Sequence, residues 1–372
     1  MIYLLEGIDG AGKTSIGNAI QAKLGGKRKV FMRHSPKPKK SDKRDIIGFY
    51  YKDMEKAYQK QDVVLDRWWP SHLVYETYFG KRQWLRREEM FIMVGLFLQQ
   101  TVYVHCHAPL GVIQGRIQSD RDLNLTPQQR QNQIAAAEEI MVEYERLYRH
   151  LVHMRCGRNV LANTDEHNPN ELADKVLLES KLGLLPRQKE EHLRTLRAVG
   201  WGSVTPQVLV IGNRNVPHSH AVPTVFNRKG HGNRIEHLPF IATRGRGYDH
   251  HVLRVLIAAR LSPADVYFHN AWRSDEPSTP LLTPEIVRAL SPLMVVTVGK
   301  RAAKWWEANA HRVSSVRGTV VMADPKEYKE LSQKDVDRLG GKLRNTLNEE
   351  NILRKTETKF LEGFYHADHF QP

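Results

Sequence analysis

Cysteine is scarce in this chain of 372 residues, which has only Cys106 and Cys156. They form no CxxC pair, so we expect no disulfide framework, and a reducing, intracellular setting fits best. Long apolar runs are absent too. The longest, at 90–98, falls well short of the roughly 20 residues of a membrane span and predicts a buried helix. The opening residues MIYLLEG lack the basic region of a signal peptide. We therefore predict a cytoplasmic protein with no membrane partner.

Acidic residues are also in deficit. The chain has 56 Lys and Arg against 41 Asp and Glu, a formal net charge of +15. This balance excludes an acidic or neutral surface and makes a polyanionic partner plausible, such as nucleic acid, a nucleotide or anionic lipid. Hydrophobic residues make up 41% of the chain and glycine adds 25 residues. That share supports real cores and excludes a wholly disordered chain.

The order of apolar runs predicts two α/β units. Residues 1–182 alternate short strands with longer helical patterns, which indicates a parallel sheet with helices on both faces. Residues 183–205 are charged and then punctuated by Gly, Ser and Pro, as is typical of a linker. A second set of alternating strands and helices fills 206–330. The remainder, 331–372, is charged and lacks strand patterns, so we predict a helix followed by a mobile tail.

A glycine-rich loop carries the clearest chemical signal. The eight residues from Gly7 to Thr14, GIDGAGKT, fit GxxxxGK[ST] directly after a predicted strand and at the start of a predicted helix. In such loops the backbone N–H groups wrap phosphates, the lysine reaches the β- and γ-phosphates, and the hydroxyl holds Mg²⁺. The alternative is a plain glycine turn. The pattern predicts ATP and Mg²⁺ as cofactors, bound by Gly7, Gly10, Gly12, Lys13, Thr14 and Ser15.

Three segments resemble the thymidylate kinase family: LEGIDGAGKTS, VVLDRWWPSHLVY at 63–75 and VYVHCHAPLGVIQGRIQSDRD. The resemblance covers about residues 1–180. It implies that Asp9 contacts the acceptor sugar hydroxyl, and that Asp66 assists the acceptor and joins Thr14 at the metal. It also implies that Arg33 and Arg67 bind the acceptor phosphate. A homodimer, usual in that family, is a further expectation.

The same resemblance implies that Arg116 and Arg121 clamp the transferring phosphoryl group, where cations stabilise developing charge. An ordinary solvated helix face is the alternative for these two arginines. The predicted catalytic set is Lys13, Asp9, Asp66, Arg67, Arg116 and Arg121.

The acceptor region departs from the family pattern. Trp68 and Trp69 replace a smaller pair, and the family's base-reading Phe-xxx-Arg pattern has no clean counterpart. The acceptor base therefore need not be plain thymine. Core packing of at least one tryptophan is the alternative. The predicted acceptor-binding set is Arg33, Trp68, Trp69, Ser71 and Tyr75.

The second unit resembles the uracil-DNA glycosylase superfamily over about 205–330, through VLVIG, LPFIATRGRG, VYFHNAW and TPEIVRALSPLMVVTVGKRAAKWW in that order. The resemblance implies that Phe240 stacks on a flipped base and that Asn270 reads its edge. The catalytic motifs do not match. Asn213 stands near the expected water-activating position, and Asp324-Pro-Lys replaces the His-Pro-Ser motif. We expect a domain that binds DNA or a base without excising it. Altered chemistry through Asn213 or Asp324, or a role in packing alone, are the alternatives.

Two weaker features remain. His105 and His107 lie on one face of a predicted strand, which allows a structural zinc site only if a third ligand exists. The basic run at 37–44, KPKKSDKR, either contacts a phosphate backbone or is a solvated surface loop.

Together these patterns predict a Mg²⁺- and ATP-dependent kinase that phosphorylates a deoxypyrimidine acceptor. The fusion to a base-flipping fold favours 5-hydroxymethyluracil in phage DNA, in the host cytoplasm. The acceptor motifs favour a free deoxypyrimidine monophosphate instead. A nucleotide-switched DNA-binding protein without kinase activity is the third alternative.

Overall fold

The chain forms two α/β units in a computed structural model. No helix in its described part is long and apolar enough to cross a membrane. The described residues are 1–25, 30–34, 49–50, 62–78, 87–97, 101–119, 125–153, 158–181, 200–203, 205–214, 248–272, 280, 282–322 and 332–349.

The first unit is built on a parallel sheet of five strands in the order β2-β3-β1-β4-β5. Helices cover both faces, so the inner strands are apolar and buried along nearly their whole length. This confirms the predicted α/β fold class with a parallel sheet and flanking helices. The strands are β1 (Ile2–Glu6), β2 (Val30–His34), β3 (Asp62–Asp66), β4 (Thr101–His107) and β5 (Arg158–Asn163).

Six helices belong to this unit in the described part of the chain. The first follows the glycine-rich loop directly, and the fifth packs across the second and fourth helices. They are α1 (Lys13–Leu24), α2 (Trp69–Tyr78), α3 (Arg87–Phe97), α4 (Leu110–Ser119), α5 (Pro127–His153) and α6 (Pro169–Lys181).

The second unit has another five-stranded sheet, in the order β10-β9-β7-β8-β6. Four strands are parallel, and the short edge strand β6 runs antiparallel to β8. Its strands are β6 (Gly200–Gly202), β7 (Val208–Arg214), β8 (Val266–Trp272), β9 (Met294–Val298) and β10 (Gly318–Met322). Its helices are α7 (Tyr248–Ala258), α8 (Pro284–Leu290), α9 (Lys300–Asn309) and α10 (Gln333–Glu349).

One strand lies where the sequence suggested less structure, since β6 falls inside the predicted linker. Helix α10 lies at the start of 331–372, where the sequence predicts a helix. Helix α10 packs on α7 through Val336, Leu343 and Leu347, which are buried. A methyl group on Gly340 would lie 2.5 Å from Cβ of Ala258, so the two helices cross closely there.

The two sheets share one hydrophobic core. Helix α3 of the first unit packs on β6 and α7 of the second. The rings of Phe91 and Phe268 meet edge to face, 6.3 Å apart, and Trp201 of β6 stacks on Phe268 at 4.1 Å. A methyl group on Gly95 would lie 2.9 Å from Cζ3 of Trp201. The apolar run at 90–98 contributes a buried helix, as predicted, and its buried side chains join the two units.

Candidate active site

The glycine-rich loop connects β1 to α1 and needs glycine at two critical points. Gly7 has φ of 148°, and a Cβ there would lie 2.5 Å from the carbonyl oxygen of Cys106 on β4. Gly12 has φ of 78° and immediately precedes α1. The backbone at Gly7 therefore approaches β4 closely before the helix begins. The N–H groups of the first helical turn and the helix dipole make this end of α1 attractive to phosphate.

Lys13 and Thr14 begin α1 beside the carboxyl end of β3. The Lys13 side chain is buried, and its Nζ donates to the carbonyl oxygen of Ile8 at 2.7 Å. Burial lowers the pKa of Lys13, the Arg67 charge lowers it further, and Asp66 and Asp9 oppose that shift. The Thr14 hydroxyl donates to Oδ2 of Asp66 at 2.7 Å. A hydroxyl beside a carboxylate is a ligand set that Mg²⁺ accepts, so these residues fit the predicted metal.

Asp9 and Arg67 form an ion pair across the loop. Arg67 follows β3 with φ of 69°, unusual for a residue with a side chain, and its N–H donates to the Leu5 carbonyl at 2.9 Å. Its guanidinium lies 5.0 Å from the centroid of the Tyr75 ring. Burial raises the pKa of Asp9, but the charges of Arg67 and Lys13 lower it more, so the net pKa lies below its ordinary value. Asp9 therefore remains a carboxylate at neutral pH.

Glu6 is a site residue that sequence reasoning missed. Its side chain is fully buried, accepts a 2.7 Å hydrogen bond from the Trp68 N–H, and accepts another from the Ser71 hydroxyl. Ser71 in turn lies 2.7 Å from the Tyr144 hydroxyl. Burial raises the pKa of Glu6 to about 7, although these hydrogen bonds and nearby cations oppose the shift. The carboxylate ties β1 to the turn that carries Arg67. A charged residue ending an apolar strand, IYLLE, was the available signal.

The Arg116 side chain is hydrogen-bonded to the glycine-rich loop and to Thr164 instead of extending into solvent. Its guanidinium donates to the carbonyl oxygen of Gly10 at 3.2 Å, to Oγ1 of Thr164 at 2.8 Å and to the Thr164 carbonyl at 2.9 Å. Thr164 follows β5 and also packs on the loop, since a Cβ on Gly12 would lie 3.1 Å from its methyl group. The solvated-face alternative therefore does not describe Arg116. The sequence signal for Thr164 was weak, because the contact joins distant segments.

The predicted acceptor residues lie in two different environments. Trp68 and Trp69 are both buried, so the structure places them in the core. Ser71 is buried against Glu6, whereas Tyr75 is half-buried beneath Arg67. Ser15 lies exposed in the first turn of α1.

Several predicted residues lie partly or wholly outside the described part of the chain. The backbone of Arg33 in β2 pairs with Leu65 of β3, but the Arg33 side chain is not among those that the structure describes. The same holds for the side chain of Asn213 in β7. The residues wholly outside it are Arg121, Phe240, Asp324 and the basic run at 37–44.

The carboxyl edge of the second sheet carries buried polar groups of another kind. Asn270 is buried on β8, beside Gly212 of β7. Nδ1 of its neighbour His269 lies 2.7 Å from the Asn270 backbone oxygen. Burial lowers the pKa of His269 to about 4, so the ring is neutral at pH 7. The predicted base pocket of Asn213, Phe240, Asn270 and Asp324 stays a prediction.

The histidine pair on β4 lies in an aromatic stack. The rings of His105 and His107 are 6.1 Å apart on one face, as predicted, and His105 stacks on Tyr148 at 5.1 Å. Burial lowers the pKa of His105 to about 3. No group of three metal-binding side chains occurs within the described ranges, so no third zinc ligand joins this pair there.

No protein-family model matches the sequence, and no curated protein matches it significantly. Among solved structures, the YorR protein from Bacillus subtilis in complex with phosphorylated GDP is similar over 52% of this chain and 98% of its own, with 18% identity and a TM-score of 0.34. Deoxyadenosine kinase from M. mycoides with dCMP and dCDP bound is similar over 49% of this chain and 99% of its own, with 15% identity and a TM-score of 0.30. The same kinase with dCTP bound gives 16% identity over 50% and 100%, and a TM-score of 0.29. TM-scores of this size establish no common fold.

Proposed function

We propose that this chain is an ATP- and Mg²⁺-dependent phosphotransferase whose active site lies at the carboxyl edge of the first sheet. The observation that carries the proposal is the convergence of Lys13, the Thr14–Asp66 pair and the Asp9–Arg67 pair around one phosphate loop. Phosphoryl transfer requires positioning and charge stabilisation rather than covalent chemistry, and these groups supply both.

Each residue then has a defined task. The loop N–H groups hold the phosphates of ATP, and Lys13 exchanges its bond to the Ile8 carbonyl for the β- and γ-phosphates. Thr14 and Asp66 would hold Mg²⁺, and its charge would offset that of the phosphates. Arg116 keeps the loop closed through Gly10. Arg67 is neutralised by Asp9 until an acceptor enters.

The acceptor we favour is the hydroxymethyl group of 5-hydroxymethyluracil in DNA. Its oxygen attacks the γ-phosphorus, the bond from that phosphorus to the β–γ bridging oxygen breaks, and ADP leaves. The hydroxyl proton passes to a carboxylate, for which Asp9 is placed beside the loop. The net charge of +15 and the second α/β unit, built into the same core, support a DNA acceptor. The second unit then binds DNA or the base without excising it.

The test is transfer of labelled γ-phosphate to acceptors presented side by side. We expect label on duplex DNA containing 5-hydroxymethyluracil and little on thymidine monophosphate or on ordinary duplex. Label on monophosphates alone contradicts the DNA acceptor and indicates a thymidylate-type kinase. ATP hydrolysis without labelling of any acceptor contradicts kinase activity and indicates a nucleotide-switched DNA-binding protein.

A further inference from the structure

Gln133 of helix α5 contacts the active site directly. Its Nε2 donates to Oδ2 of Asp9 at 3.3 Å, a contact between residues 124 positions apart. The other oxygen of Asp9 is occupied by Arg67. Asp9 is therefore held from two sides, by the turn after β3 and by α5.

The contact with Asp9 decides which way the amide of Gln133 faces. An ionised carboxylate only accepts hydrogen bonds, so the amide must present its NH₂ group to Asp9. The low pKa of Asp9 keeps the carboxylate ionised. The carbonyl oxygen Oε1 is consequently turned away from Asp9.

Oε1 of Gln133 is shielded from solvent, yet it has no hydrogen-bond partner among the residues that the structure describes. A buried acceptor without a donor costs free energy that folded proteins usually avoid. The side chain that carries this oxygen is joined to the active site, since its NH₂ group contacts Asp9, Asp9 pairs with Arg67, and Arg67 lies over the Tyr75 ring. A donor on a bound molecule would satisfy this oxygen.

We propose that Gln133 orients the phosphoryl acceptor, holding Asp9 with its NH₂ group and accepting a hydrogen bond from the acceptor at Oε1. This inference rests on the proposed function and names the acceptor's chemistry: it carries an O–H or N–H group at this position. The hydroxymethyl or sugar hydroxyl of a deoxypyrimidine offers the first, and the imide N3–H of a uracil-type base offers the second.

The experiment compares Gln133→Met with Gln131→Met, a matched change at an exposed position on the same helix. Steady-state kinetics are measured with an oligonucleotide containing 5-hydroxymethyluracil, and with the same oligonucleotide methylated at N3 of that base. We expect Gln133→Met to raise KM for the acceptor about tenfold with KM for ATP unchanged, because one buried hydrogen bond is lost. Gln131→Met should behave as wild type.

The methylated acceptor distinguishes the two donors. If Oε1 accepts from N3–H, methylation impairs the wild type about tenfold but does not further impair Gln133→Met. If it accepts from a hydroxyl, methylation costs both proteins the same. Equal kinetics of Gln133→Met and wild type on the unmethylated oligonucleotide overturn the inference.

Equilibrium binding of the oligonucleotide separates this inference from the proposed function. If the wild type transfers no phosphate, the proposed function fails, and calorimetric binding then decides the role of Gln133. Binding about tenfold weaker in Gln133→Met than in wild type supports that role, and equal or absent binding overturns it. Gln133→Ala serves as the second variant if thermal denaturation shows that the methionine variant misfolds.

Discussion

The two sheets of this chain have similar plans but different carboxyl edges. In the first, charged groups converge: Asp9, Asp66, Arg67 and Lys13 surround a phosphate loop. In the second, the buried polar residues at the corresponding strand ends, among the side chains that the structure describes, are the neutral His269, Asn270 and Thr297. Parallel sheets place ligand sites at this edge, but the side chains decide the chemistry.

The helix starts show the same contrast at closer range. Gly12 and Lys13 open α1, and Gly299 and Lys300 open α9, each glycine with a positive φ. Lys13 is buried over its loop, whereas Lys300 is exposed. The two Gly-Lys steps therefore differ in their surroundings, because the first loop also has Gly7 and Gly10, and Thr14 pairs with Asp66.

The largest expected difference between the two edges is catalytic. Asp66→Asn should lower kcat for phosphoryl transfer by about 10²–10³-fold, because the ligand that pairs with Thr14 loses its charge. Asn270→Ala, at the other edge, should leave kcat for phosphoryl transfer within about twofold and change only KM for the DNA acceptor. Steady-state kinetics of both variants test this, and an equal loss of ATP turnover would contradict the assignment of the active site to the first sheet.

The shared core predicts that the two units are energetically coupled. Phe91→Ala removes a buried ring between them and should destabilise the protein by about 3–5 kcal/mol. Urea denaturation followed by tryptophan fluorescence should show the loss in one transition that both units share. Two separate transitions, with only one of them shifted, would show that the sheets are independent.

The pH dependence of stability should have opposite signs at Glu6 and His269. Folding raises the pKa of Glu6 from 4.5 to about 7. The stabilisation that Glu6 adds to the free energy of unfolding is therefore complete below pH 4.5 and is lost as the pH rises through 7. Folding lowers the pKa of His269 from 6.5 to about 4. The stabilisation that His269 adds to the free energy of unfolding is therefore complete above pH 6.5 and is lost as the pH falls through 4. Each amounts to on the order of 3 kcal/mol.

Urea midpoints measured from pH 4 to pH 8 check these signs. Glu6→Gln should flatten the decline on the alkaline side, and His269→Gln should flatten the decline on the acid side. The predicted opposite signs are wrong if Glu6→Gln keeps the wild-type slope of urea midpoint against pH on the alkaline side, or if His269→Gln keeps it on the acid side.

The smallest expected effect on stability and transfer is that of Thr297→Val, for which Thr14→Val is the matched change at the other edge. The Thr297 hydroxyl is buried without a hydrogen-bond partner within the described ranges. Thr297→Val should therefore be neutral or stabilising by up to about 1 kcal/mol, with transfer unchanged. Thr14→Val removes the bond to Asp66 and should weaken Mg²⁺-dependent transfer instead. Thermal denaturation and kinetics of both variants distinguish the two edges, and impaired transfer in Thr297→Val would contradict the contrast.

Short-range patterns predicted the loop and the fold class, because each depends on contiguous residues. The glycine-rich loop can be recognised from its glycines, the lysine and hydroxyl that follow them and the preceding strand, without information from distant segments. Glu6, Gln133 and Thr164 were missed because their contacts arise from packing between elements far apart in sequence. For Trp68 and Trp69 a short motif was misleading: it suggested that they bind the acceptor, whereas both side chains are buried in the core. The place of β6 in the second sheet also depends on tertiary pairing.

The most direct test of the central claim is calorimetric binding of ATP in the presence of Mg²⁺. Wild type, Lys13→Ala and Lys300→Ala are compared. A nucleotide site at Lys13 predicts one ATP per chain in wild type and Lys300→Ala with equal Kd, and binding weakened at least about tenfold in Lys13→Ala. Retained binding in Lys13→Ala together with its loss in Lys300→Ala would place the nucleotide on the second sheet and rule out a site at Lys13.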